Sequence, residues 1–422
     1  MSVPNNEPAN VAEKGEPAVL FAVAFAFLPV AVLAPGQMWI VAVAGALLLV
    51  LLRALSGTWP IPLRSRLGLL FAALILWGAA SWLWSVAPAR TLYTGSRLIL
   101  LAACLLVLLD AARNLDPAGQ RRFNFWLVGG TVVGLVLLAL FILTNGAFAA
   151  WIGLTIRESH ELERFNRTAG VLAIFVWPVA LVIAQLFGRY VAAVTLLLAT
   201  LALFALAPST PLFAFLAGLV AFGLAWVSAT WAKRLLIAGF AISVAIVPFL
   251  DTIVPLANTF LIENVDGPNS EVHRFLIWQF AAERILDQPL FGWGLDTARA
   301  VPGGDAQLFM FQFGDNPTMG QAMPLHPHNA LMQIWLELGV VGLAIAAALF
   351  ALIVVSIPER RGNRAMPAAA LATLASAFAI AQLSFGIWQG WWMATLGIVA
   401  ILVTAIVVPG TRATAPADRD GA

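Results

Sequence analysis

His328-Asn329, nine further residues and then Gly339-Val340-Val341-Gly342 make up the spacing in this chain with the most chemical content. If Asn329 opens a helix, the eleven steps from His328 to Gly339 rise about 16 Å. The histidine then stands at the mouth of a rigid element, and glycines three apart let a neighbouring helix come close. An imidazole, with an unperturbed pKa near 6.5, suits proton abstraction from such a mount. The same residues also fit an ordinary helix start with Asn329 as its cap. All four histidines, His160, His273, His326 and His328, fall between 144 and 167 or between 251 and 328. His326-Pro327-His328 invites a metal reading, but no third His or Cys is near in sequence and the proline restricts the pair. Asp305 and Asp315 lack a ligand spacing, so no metal is expected. Gly292-Trp293-Gly294 has neither the further glycine of a dinucleotide loop nor a Walker lysine, and no nucleotide or other cofactor is implied.

These residues must be positioned by elements built for a bilayer. Of the 422 residues, 61% are hydrophobic and 10% charged, against about 25% charged in soluble domains. A net charge of +2 gives no footprint for nucleic acid, and the single Cys104 excludes an internal disulfide. Apolar runs near 17–35, 37–55, 66–86, 92–112, 123–143, 168–187, 190–207, 210–229, 233–250, 329–356, 365–386 and 389–408 each approach the roughly 20 residues a span needs. The expected fold is therefore an all-α polytopic membrane protein of about twelve transmembrane helices. Residues 1–16 read as a cytoplasmic tail without signal-peptide features. Residues 17–250 hold nine helices with an outer loop at 144–167, residues 251–328 a large periplasmic loop before helix ten, residues 329–408 the last three helices, and residues 409–422 a cytoplasmic tail. Orientation follows the Lys/Arg bias of short loops. Fifteen of the 23 basic residues, among them Arg53, Arg121, Arg122, Lys233 and Arg234, fall on one side with both termini, which is read as cytoplasmic. Trp84, Trp388, Trp391 and Trp392 stand near span ends and read as anchors in the interfacial belt.

The His-Asn pair, the nine-residue spacing and the Gly-x-x-Gly resemble the signature of the O-antigen ligase and O-antigen polymerase superfamily. His273-Arg274-Phe275-Leu276-Ile277-Trp278, followed by Gln288-Pro289-Leu290-Phe291-Gly292-Trp293-Gly294, is similar to the Arg-x-x-x-Trp and Pro-Leu-x-Gly-x-Gly block of that family's long periplasmic loop. Arg167-Thr168-Ala169-Gly170 resembles the Arg-x-x-Gly of its earlier outer loop. One departure is Leu343, where the family often has Thr, Tyr or Gly.

The resemblance implies a metal-independent glycosyltransferase working on a glycan carried by undecaprenyl diphosphate. It would transfer that glycan to an acceptor hydroxyl at the periplasmic face of the bacterial inner membrane. Cations must steady the departing diphosphate and a base must take the acceptor proton. His328 is the implied base, with Arg274 and Arg167 as guanidinium forks matched to phosphate oxygens. Arg164, His326, Asn329 and Arg97 are candidate substrate ligands. Arg274 could equally form a loop ion pair with Glu271 or Asp287, Arg167 could reach lipid headgroups, and Arg97 could sit in a structural ion pair. Glu337, ionisable inside a span, reads as structural. Ligation onto lipid A–core is the favoured reaction and polymerisation of repeat units its close rival. A transporter, or a non-catalytic partner in polysaccharide assembly, is the alternative from another class.

Overall fold

The computed structural model describes residues 7–57, 66–144, 146–153, 158–206, 209–264, 270–313, 316–359 and 362–407. Its helices, in chain order, are α1 (Glu7–Leu33), α2 (Met38–Ser56), α3 (Arg66–Ala80), α4 (Pro88–Arg113), α5 (Pro117–Leu143), the short α6 (Ala147–Trp151), α7 (Glu158–Phe187), α8 (Arg189–Leu206), α9 (Ser209–Val227), α10 (Ala229–Ala245), α11 (Leu250–Asn264), α12 (Ser270–Asp287), α13 (Ala330–Ser356), α14 (Ala365–Leu383) and α15 (Gly390–Val407). The protein is a multi-pass membrane protein, and each of the twelve apolar runs coincides with one helix. Ten helical segments are long and apolar enough to cross a bilayer among the described residues. The pair α10–α11 bends by 40° at a break, where the turn Val247–Phe249 contains Pro248, which has no N–H to continue the ladder. The apolar stretch Gly390–Ile406 of α15 is shorter than the rest.

Apolar stripes pack these helices around α7, whose membrane portion is buried nearly throughout. α1 lies against α2 and α5, and α14 lies along α9 and α7. At the end away from the histidines, Arg53 is buried and ties three helices together. Its guanidinium meets Glu16 of α1 at 2.9 Å and Asp110 of α4 at 2.9 Å.

Three expectations need correction. The stretch after Asp251, expected as a large loop, is a folded unit with two helices and a strand pair. α11 and α12 pack on Ala298, Val301, Met323, Met332 and Leu336 as a separate core, and an antiparallel hairpin follows, β1 (Gln307–Phe313) with β2 (Asn316–Gln321). Second, Trp388, Trp391 and Trp392 are buried, so they serve packing rather than a lipid-facing belt. Third, no neighbouring helix exploits Gly339. The α13 backbone breaks there, with φ 67°, and a Cβ on Gly339 would lie 2.1 Å from the Leu290 carbonyl oxygen. The close partner is the loop backbone, and the positive φ is the second reason for glycine.

Candidate functional site

Loop and helix are joined backbone to backbone at this break. Trp293 N–H donates to Leu336 O (3.0 Å), Gly294 N–H to Glu337 O (2.8 Å), and Val340 N–H to Pro289 O (2.8 Å). Gly292, also at positive φ, would place a Cβ 2.5 Å from the Glu337 carbonyl carbon. The Pro-Leu-x-Gly-x-Gly block thus docks on the helix that follows His328.

The Glu337 side chain is fully buried and accepts from four donors. They are the backbone N–H of Asp296 (2.6 Å), the backbone N–H of Ala298 (3.2 Å), Gln333 Nε2 (3.1 Å) and Trp388 Nε1. Asp296 in turn accepts from Thr94 Oγ1 of α4 at 2.7 Å. One carboxylate therefore ties the loop, α13 and the α14–α15 turn together and reaches α4 through Asp296.

His328 and Asn329 complete the helix start. Asn329 Oδ1 accepts from Met332 N–H at 3.0 Å, so it is the helix cap. His328 adopts a left-handed backbone, φ 53°, uncommon for a side chain of this size. Its Nδ1 lies 2.7 Å from the Ser384 carbonyl oxygen. A carbonyl can only accept, so Nδ1 carries the proton and the neutral ring keeps Nε2 as its accepting nitrogen. Burial holds the His328 pKa below the ordinary histidine value. The Ser384 carbonyl opposes that shift, while Arg274 and His273 add to it.

His326 is buried and faces inward. Its Nδ1 lies 3.1 Å from His328 N and its Nε2 lies 3.2 Å from Gly386 N. A neutral imidazole can accept at only one of these nitrogens, and an imidazolium at neither. Burial, with His328 and Arg299 adding to it, lowers the His326 pKa to about 3. Between pH 6.5 and about 3 the unfolded ring takes a proton that the folded ring refuses, so acid favours unfolding. We expect thermal unfolding in detergent to move to lower temperature as pH falls through this window. The fall should be shallower in His326→Phe, and equal slopes would assign the acid sensitivity elsewhere.

The turn between α14 and α15 gathers the other candidates. Gly390 stands so close to Arg97 that a Cβ there would lie 3.0 Å from Nη2, and Gly36 would come within 3.1 Å of Arg167 Nη1. The Arg167 guanidinium lies 5.2 Å over the Trp391 ring, and that of Arg97 lies 5.2 Å over Tyr93. His328, Arg97 and Arg167 thus meet one segment of nine residues, 384–392, the α14–α15 turn and the first residues of α15, through Ser384, Gly390 and Trp391. Among the described residues no carboxylate pairs with Arg97 or Arg274, and Asp287 is held instead by Arg284 at 2.9 Å. Glu271 and Arg164 have side chains outside the described residues. No group of three or more His, Cys, Asp or Glu able to hold a metal occurs among the described residues.

Residues 193–347 match the model of the family described as O-antigen ligase. That stretch contains Arg274, His326, His328, Glu337 and the Gly339–Gly342 pair. Over that stretch the chain is similar to the O-antigen ligase family. It is 27% identical over 358 residues to a Rickettsia conorii protein, covering 83% of this chain and 81% of that one. It is 28% identical over 349 residues to a Rickettsia bellii protein, covering 81% and 80%. Over 140 residues, one third of each chain, it is 31% identical to a Rickettsia prowazekii protein. All three carry the name "Putative polysaccharide ligase". Within this chain, the segment 384–392 and the cations Arg97 and Arg167 lie outside the matched stretch and are joined to it by the fold. The sequence reading missed that segment, because Ser384 and Gly386 act through backbone atoms that leave no side-chain signature. It also missed Arg299, an exposed cation near enough to His326 to act on its titration.

Proposed function

We propose that this protein transfers a glycan from undecaprenyl diphosphate to a hydroxyl of lipid A–core at the periplasmic face, with both termini cytoplasmic. The observation that carries the reading is the meeting of His328, Arg97 and Arg167 on the 384–392 segment, with Arg274 acting on His328 from α12. Nε2 of His328 takes the acceptor proton as the hydroxyl oxygen bonds to the sugar carbon. The bond from that carbon to the diphosphate oxygen breaks, and the diphosphate leaves with the electron pair. Arg167, Arg97 and Arg274 stabilise its charge, so no divalent ion is required, and Arg164 is kept as a further ligand. The N-terminus of α15 adds its partial positive charge beside Arg97. His326 holds the His328 backbone and Asn329 caps the helix that follows, and both stay within reach of the site as candidate ligands.

Product analysis with purified protein, lipid-linked glycan and lipid A–core tests this reading. Glycan on lipid A–core is expected; growth of the lipid-linked glycan itself would make the protein a polymerase. Arg274→Lys keeps the charge but loses the planar fork. Since hydrogen bonds to charged groups are worth about 1.5–3 kcal/mol, it should lower transfer about tenfold to hundredfold. Arg121→Ala, exposed at the opposite end of the bundle, should transfer at the parent rate. Equal rates for Arg274→Lys and the parent would remove Arg274 from the site.

A further inference from the structure

The tip of the loop that docks on α13 is built like a membrane-embedded element. We propose that the turn Gln288–Gly292 is a re-entrant wedge whose Leu290 and Phe291 side chains insert among lipid acyl chains on the site's side of the bilayer. Three observations point there, and none depends on the transfer reaction.

The first is depth. From Gly339 to Ser356 the helix α13 runs 17 residues, a rise of about 26 Å. Ser356 is followed by Pro358, Glu359, Arg360 and Arg361, which mark the polar edge. A hydrocarbon core is about 30 Å thick, so Gly339 lies a few Å inside it, and an average tilt of about 20° takes it deeper. Leu290 and Phe291 have their backbones against Gly339. The Phe291 ring lies 6.0 Å from Trp77 of α3 and 5.7 Å from Trp84 just past the end of that span.

The second is the treatment of the backbone. Irregular chain survives at membrane depth only where its polar groups find protein partners. Pro289 has no N–H, and its carbonyl accepts from Val340 N–H. The Phe291 carbonyl accepts from Trp84 Nε1 at 3.2 Å. Gly292 N–H donates to Gln288 O at 3.1 Å.

The third is what the turn shows outward. Leu290 is 59% and Phe291 51% exposed. Leu76 on α3 and Leu83 just beyond it are exposed too, and Trp82 and Trp84 follow near the span end, where amphipathic rings settle. The ion pair Arg284–Asp287 lies just before the turn on α12. The wedge therefore latches α12, which carries Arg274, to the membrane surface.

The test uses the full chain with Cys104→Ala, which leaves no other cysteine. Leu290→Cys, Phe291→Cys and, as an exposed loop control, Asp305→Cys are each labelled with a nitrobenzoxadiazole probe. The proteins are reconstituted in phosphatidylcholine–phosphatidylglycerol vesicles. At 290 and 291, iodide should quench at most about one fifth as well as at 305. Lipids spin-labelled at acyl carbon 5 should quench there more than those labelled at carbon 12. Iodide quenching at both positions equal to that at 305 would put the turn in water and overturn the proposal. Protection from iodide without quenching by either lipid would mean that protein covers the turn, and would overturn it too.

Discussion

His328→Ala is expected to leave a folded protein that still binds lipid-linked donor but transfers roughly 10²–10⁴-fold more slowly, the usual contribution of a general base. The reason is the tautomer. Ser384 O accepts a hydrogen bond from Nδ1–H, so the only in-plane lone pair on the neutral ring is at Nε2, and alanine supplies none. Burial and the neighbouring Arg274 hold the pKa down, so the ring stays unprotonated through neutral pH. Wild-type transfer should therefore hold down to a pH below the ordinary histidine value near 6.5 before falling. In His328→Gln that acid limb should disappear from whatever rate remains, and a limb that persists unchanged would belong to another group. Should His328→Ala abolish donor binding while single-turnover transfer of bound donor stays normal, His328 would be a donor ligand, and the base would have to be sought elsewhere in the loop.

Much of the architecture could be read directly because a bilayer imposes a length. A chain that must bury its backbone polar groups within about 30 Å writes runs of about 20 apolar residues, and ten of the described helices have that length and composition. The spacing from His328 to Gly339 was legible too, but its physical meaning was not. A glycine pair three apart fits helix packing and a helix break equally well in sequence, and only the approach of Leu290 decides for the break. The hairpin did leave a signal: Gly314-Asp315 stands between Leu308-Phe309-Met310-Phe311 and Thr318-Met319, the pattern of a two-residue turn between strands. The tryptophans misled because a ring near a span end fits both lipid and core. Trp388 is drawn inward by Glu337, eight residues beyond Asn329, and no local pattern announces a bond across 51 residues.

Glu337→Gln should be the most damaging conservative change outside the reacting groups. Four N–H donors converge on two carboxylate oxygens, and a carboxylate, which only accepts, suits that convergence. Glutamine keeps the shape but turns one acceptor into an NH2 group facing donors. Either Trp388 Nε1 and Asp296 N–H, or Ala298 N–H and Gln333 Nε2, would lose their partner. Each buried unsatisfied group costs about 1–3 kcal/mol, so unfolding in detergent should shift by a few kcal/mol. The pairing on the Oε2 side holds Trp388 in the 384–392 segment and Asp296, which receives Thr94 of α4. That geometry keeps Ser384, which holds His328, and Gly390, which neighbours Arg97, on one segment, so turnover should fall in molecules that remain folded, with donor affinity less affected. Trp388→Phe removes one of the four donors. Combined with Glu337→Gln it should cost less than the sum of the two changes, because the clash at that oxygen is already gone. Strict additivity in both stability and turnover would show that Glu337 and Trp388 act independently, and the carboxylate would then be a local brace for the loop with no part in aligning the site.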